Sequence, residues 1–132
     1  MKKKKILIVE DEMDMRIFIS TLLELNGYKP VMTKDGKEGI SKAKDILPDL
    51  IILDVMMPGE GGVEMYRNLK TDDTLREIPV IMLTAVGRRS FSHYLKMLNW
   101  QSDKAIPEPD VYMEKPLEAE DLLKNAASLI RI

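Results

Sequence analysis

Cysteine is absent from this sequence, which removes disulfides and thiolate metal sites and leaves a reducing compartment compatible with it. Histidine occurs once. His93 stands in a helix-patterned stretch with no second ligand near it in sequence, and reads as a surface residue. Long apolar runs are missing too: Lys2 to Lys5 imitate the start of an export signal, but only Ile6 to Val9 follow before Glu10-Asp11-Glu12. We therefore expect a soluble, cytoplasmic protein without a membrane partner. Neither sign of charge is in excess. Twenty basic and 22 acidic residues, spread along the chain, give a net charge of -2 and a pI near 5.5, which implies no direct nucleic-acid binding. The lysine run reads as a solubilising flank before a hydrophobic strand.

What is present is enough for one domain: 132 residues, 45% hydrophobic. The chain is organised around Leu50-Ile51-Ile52-Leu53, an apolar run that ends in Asp54 and is followed by a turn at Pro58-Gly59. Ile6 to Val9 runs into Glu10-Asp11 in the same way, and Val80 to Leu83 into Thr84. Such runs suit strands buried on both faces. Lys29 to Thr33 is a weaker strand that Pro30 confines to an edge or a strand start, and Val111 to Met113 is a short one.

Helical spacing fills the intervals. Met15, Ile19, Leu22 and Leu23 share a stripe closed by Gly27; Ile40, Ala43 and Leu47 follow a capping box at Asp35 and Glu38, with Pro48 as the stop. Gly62, Met65, Tyr66 and Leu69 form a third stripe, Phe91, Tyr94, Leu95 and Leu98 a fourth, and Leu122, Leu123, Ala126, Ala127 and Ile130 a fifth. Strand and helix thus alternate five times, which predicts an α/β fold with a parallel sheet covered on both faces. Ligands of open sheets of this kind bind outside the carboxyl ends of the strands. Glu10, Asp11, Asp54, Thr84 and Lys115 all fall at those ends.

Gathered carboxylates repel one another and call for a hard divalent cation, and Mg²⁺ uses one or two carboxylates together with phosphoryl oxygens. Asp54 is then a candidate nucleophile for an aspartyl-phosphate, with the Thr84 hydroxyl and Lys115 ammonium suited to phosphoryl oxygens.

Four segments, Ile6 to Glu12, Leu50 to Gly59, Val80 to Ala85 and Tyr112 to Pro116, resemble in order the receiver domain of two-component response regulators. The resemblance spans essentially the whole chain, as a single receiver domain over residues 1–132. It implies the flavodoxin-like (βα)5 doubly wound sheet in the order 2-1-3-4-5. It implies a phosphoacceptor switch in which Asp54 takes a phosphoryl group from a histidine kinase or phosphotransfer partner and signals to a downstream protein, rather than an enzyme. Asp11, Asp54 and the Met56 carbonyl would bind Mg²⁺, with Glu10 acting through metal-bound water. Thr84 and Lys115 would hold the phosphoryl oxygens, Tyr112 would move with Thr84, Lys115-Pro116 would be cis, and Met56 and Val86 would tune phosphoryl loss.

Two features depart from the pattern. Glu10 replaces the more usual aspartate, and Thr84 is separated from Lys115 by an excess of roughly two to three helical turns, placing an enlarged stretch at about 86–110. That stretch motivates the alternative of a phosphorylation-independent adaptor. A haloacid-dehalogenase-type phosphatase would need an acid where Met56 stands, and the acidic run Glu10-Asp11-Glu12 would repel the phosphate of an FMN cofactor. The methionines read as core filler, Trp100 as packing of the enlarged stretch or an anchor for a partner, and Arg88 and Arg89 as solvated helix-start charge.

Overall fold

Five short runs become the strands of one sheet: β1 (Lys5–Val9), β2 (Lys29–Thr33), β3 (Leu50–Asp54), β4 (Val80–Thr84) and β5 (Val111–Glu114). The computed structural model describes residues 2–55, 61–85 and 106–130. All neighbouring strands are parallel, in the order β2-β1-β3-β4-β5. The described helices are α1 (Met13–Leu25), α2 (Gly36–Ile46), α3 (Gly62–Thr71) and α4 (Ala119–Leu129). The stripe expected at Phe91 to Leu98 lies outside the described residues, as do Met56, Val86, Arg88, Arg89, His93 and Trp100.

Each face of the sheet has its own core. Leu7, Val9, Ile51, Leu53 and Met82 pack against Ala43 of α2 and Met65, Tyr66 and Leu69 of α3. Ile6, Ile8, Ile52, Ile81 and Leu83 pack against Ile19 and Leu23 of α1 and Leu122 and Ala126 of α4. Because successive strand side chains point to opposite faces and both faces are covered, β1, β3 and β4 are apolar at consecutive positions. The edge strand β2 carries Pro30, paired in register with Ile6.

Local sequence explains two helix ends. The Glu38 amide donates to Asp35 Oδ1 at 2.8 Å, capping α2. After α1, Gly27 takes φ 90°, and the amides of Gly27 and Tyr28 donate to the Glu24 and Leu23 carbonyls, at 3.2 and 3.1 Å. Three expectations need correction. Leu47 is not part of the buried α2 stripe: it is the residue after the helix, half exposed, with a left-handed φ of 47°. Ala127 faces solvent and Ile130 follows α4 rather than continuing it. Lys5 is more than a solubilising flank, since it opens β1 and its ammonium donates to the Ile46 carbonyl at 2.8 Å.

The start of the enlarged stretch is outside the described residues, but 106–110 is anchored. Ile106 is buried, the Tyr66 hydroxyl donates to the Pro107 carbonyl at 2.7 Å, and the Val80 amide donates to Asp110 Oδ1 at 2.9 Å.

At the start of α3, Gly62 lies directly against the end of β3. A Cβ there would collide with the Asp54 carbonyl oxygen and stand 2.7 Å from Val55 Cα, both backbone atoms that cannot yield alone. At Gly39 the nearest atoms, 2.8 and 2.9 Å away, belong to the flexible end of Met65. Urea unfolding should therefore show Gly62→Ala destabilised by about 1–3 kcal/mol, the cost of overpacking, and Gly39→Ala by clearly less. Equal losses would refute the distinction between backbone and side-chain contact.

Candidate functional site

The carboxyl ends of β1, β3, β4 and β5 meet, and β1, β3 and β5 are each carried one step past the strand by a ladder hydrogen bond. The Glu10 amide donates to the Thr33 carbonyl at 3.1 Å, Val55 to Leu83 at 3.0 Å and Lys115 to Thr84 at 3.0 Å. Glu10, Asp54 and Thr84 are thereby held in buried positions, at 0, 2 and 0% exposure, at the end of an otherwise apolar sheet. Asp11 is exposed at the rim.

Lys115 is the cation of the cluster. Its Nζ stands 2.8 Å from Glu10 Oε1, 3.2 Å from Asp54 Oδ2 and 3.9 Å from the mostly exposed Glu12 carboxylate. The shortest of these is a Coulombic contact, since no donor is aligned on Glu10 Oε1 as in a hydrogen bond. Burial alone would lower the Lys115 pKa, but the Glu10 and Asp54 carboxylates outweigh it and raise it. The opposite imbalance holds at Glu10. Burial first, and then the neighbouring Asp54 carboxylate, push its carboxyl up to about 7, although Lys115 and the Glu12 amide pull it down.

Among the described residues, Glu10, Asp11 and Asp54 each offer a carboxylate oxygen, the three lying within 4.8 Å of one another. Lys115 meets two of these three acids, Glu10 and Asp54. A set of three hard carboxylate oxygens, two of them from residues buried at strand ends, fits Mg²⁺.

The sequence of residues 6–127 matches the family model described as the response regulator receiver domain. The chain belongs to that family. This receiver is 31% identical over 128 residues to the polar-differentiation response regulator DivK of Brucella anthropi, covering 96% of each chain. It is 33% identical over 128 residues to the phosphate regulon transcriptional regulatory protein PhoB of Escherichia coli, covering 97% of this chain and 52% of that protein. The receiver thus spans about half the length of PhoB. Among solved structures, the chemotaxis protein CheY4 of Vibrio cholerae superposes with a TM-score of 0.83 at 26% identity, covering 97% of this chain and 99% of that one. Receivers are generally signalling switches rather than enzymes, they bind Mg²⁺ at an acidic cluster, and they act with histidine kinases or phosphotransfer proteins and downstream targets. No described helix of this receiver is long and apolar enough to cross a membrane.

The structure brings Glu10, Asp11, Asp54 and Lys115 together and puts Thr84 at the end of the adjacent strand. The Lys115-Pro116 peptide is cis, as the resemblance implies. Tyr112 is half-buried, opposite Met82 in register, with its hydroxyl 3.5 Å from Glu108 Oε1. Two residues that shape the site do not stand out in the sequence. Gly62 reads there only as part of a helix face, and the glycine-rich run Gly59-Glu60-Gly61-Gly62 does not say which backbone it meets. Arg16 carries no motif, yet its Nη1 donates to the Glu10 and Asp11 carbonyls, each at 2.9 Å.

The Glu10 shift makes stability depend on pH. Its folded pKa of about 7 exceeds the ordinary 4.5, so the folded protein holds this proton more tightly than the unfolded chain. The stabilisation is complete below the unfolded value and is lost as pH rises through the folded one. In metal-free buffer, the unfolding free energy of the wild type relative to Glu10→Gln should fall by roughly 2–3 kcal/mol between pH 5 and pH 8. A difference independent of pH would show that Glu10 ionises normally.

Proposed function

We propose that this receiver is a phosphoacceptor switch that takes a phosphoryl group onto Asp54 from a histidine kinase or phosphotransfer partner and signals through protein contacts. One observation carries the reading: a buried aspartate at a strand end, 3.2 Å from a lysine ammonium and within 4.8 Å of two further carboxylates.

An Asp54 carboxylate oxygen attacks phosphorus, an O–P bond forms as the P–N bond to the donor imidazole breaks, and the imidazole leaves with the bond's electron pair and takes up a proton. Glu10, Asp11 and Asp54 would hold Mg²⁺, joined by the carbonyl of Met56, which lies outside the described residues. When bound, Mg²⁺ supplies positive charge to the carboxylates and to the phosphoryl oxygens. Lys115 exchanges part of its contact with Asp54 and Glu10 for the new anion, and the Thr84 hydroxyl donates to it. Thr84 and Tyr112, on adjoining strands, then carry the bias from one conformation to the other.

Intact-protein mass after incubation with acetyl phosphate tests the reading. A single phosphoryl adduct is expected in the wild type with Mg²⁺, and none in Asp54→Asn or in a metal-free control. Lys115→Met should keep metal binding but reduce the adduct at least roughly tenfold, because one charge-assisted contact to the transferring group is lost. An adduct at an undiminished level in Asp54→Asn would place the chemistry elsewhere.

A further inference from the structure

Arg16 breaks a local rule. It lies in the first turn of α1, where the helix dipole favours acids such as Asp14 and disfavours a cation. Its hydrogen bonds show what the arginine does there. The Arg16 amide donates to the Glu12 carbonyl at 3.0 Å, and its Nη1 donates to the carbonyls of Glu10 and Asp11, each at 2.9 Å. The bond to Glu12 is the ordinary helical one, so what the arginine side chain adds is its hold on the Glu10 and Asp11 carbonyls.

Turning those carbonyls toward Arg16 fixes the peptide planes on both sides of Asp11, and with them the directions in which the Glu10 and Asp11 side chains leave the chain. Glu10 needs little help, being held by the ladder bond to Thr33 and by burial. Asp11 is exposed and lies in the connection between β1 and α1. The clamp matters most for its carboxylate.

We propose that Arg16 is a positioning residue for the metal site, holding the turn in which the Asp11 carboxylate meets those of Glu10 and Asp54. The inference rests on the Mg²⁺-binding reading above, and the sign of the effect isolates it. Removing a positive charge beside a cation site would, by Coulomb's law alone, tighten cation binding. Loss of the clamp instead weakens it.

The test titrates the full chain with Mn²⁺, followed by loss of the free-ion paramagnetic resonance signal and reversed by Mg²⁺, at a temperature where circular dichroism shows every variant folded. Arg16→Ala should weaken Mn²⁺ binding roughly tenfold, the loss typical when an outer partner of a metal ligand is removed. Arg16→Lys, which keeps charge and donors, should recover part of that loss. Asn26→Ala, which removes a comparable bond to the Leu22 carbonyl at the far end of α1, should leave affinity unchanged. Binding in Arg16→Ala that is equal to or tighter than wild type overturns the inference and leaves the metal reading intact. Absence of Mn²⁺ binding in the wild type overturns both. If Arg16→Ala does not fold, Arg16→Gln carries the same expectation of weaker binding and the same refutation.

Discussion

The ammonium of Lys115 stands between two carboxylates that the fold has withdrawn from water. A buried carboxylate without a counter-charge either neutralises or destabilises the protein by several kcal/mol. Lys115 meets part of that demand, and its own charge is reinforced in return. The Glu10 carboxyl is still pushed up to about 7, by its burial first and by the neighbouring Asp54 second. On the proposed reading, a bound cation would relieve the same electrostatic cost, so that cost and the binding capacity would have one origin.

The sheet creates this cost. Parallel strands end on the same side, so chain segments remote in sequence deliver their polar residues to one edge. In β1, β3 and β4 both faces are apolar, and a slip of one residue would exchange one buried side chain for another with little loss. Hydrophobic alternation therefore contributes little to register here. The polar residues at the strand ends supply the missing constraint: a slip would draw Asp54 or Thr84 into the sheet, or carry them away from Lys115. Charge placement and strand register determine one another.

Around the cluster, backbone contacts govern precision. Gly62 lets α3 begin against the Asp54 carbonyl, Arg16 gathers the carbonyls of the acidic turn, and the Lys115 amide ties β5 to Thr84. The site is thus joined to helices on both faces of the sheet and to the edge strand that leads to the anchored residues 106–110. On the proposed reading, a change in charge at Asp54 would act on all of these at once, and a small site would bias a whole domain.

Much of this was legible in the sequence. Apolar runs ending in acids gave the strands and their polar ends, helical spacing gave the core-facing residues Ile19, Met65 and Leu122, and Gly27 and Asp35 marked helix ends, because burial and capping demand particular side chains at particular intervals. Leu47 misled for the same reason: its apolar side chain continues the α2 stripe, while its left-handed backbone removes it from the helix. The roles of Arg16 and Gly62 were decided only by the tertiary structure. A bond to a carbonyl and a contact between backbones leave no signature in the identity of the second residue, since every residue has a backbone. Side-chain chemistry can be read along a chain, but which backbone it meets is known only once the chain has folded.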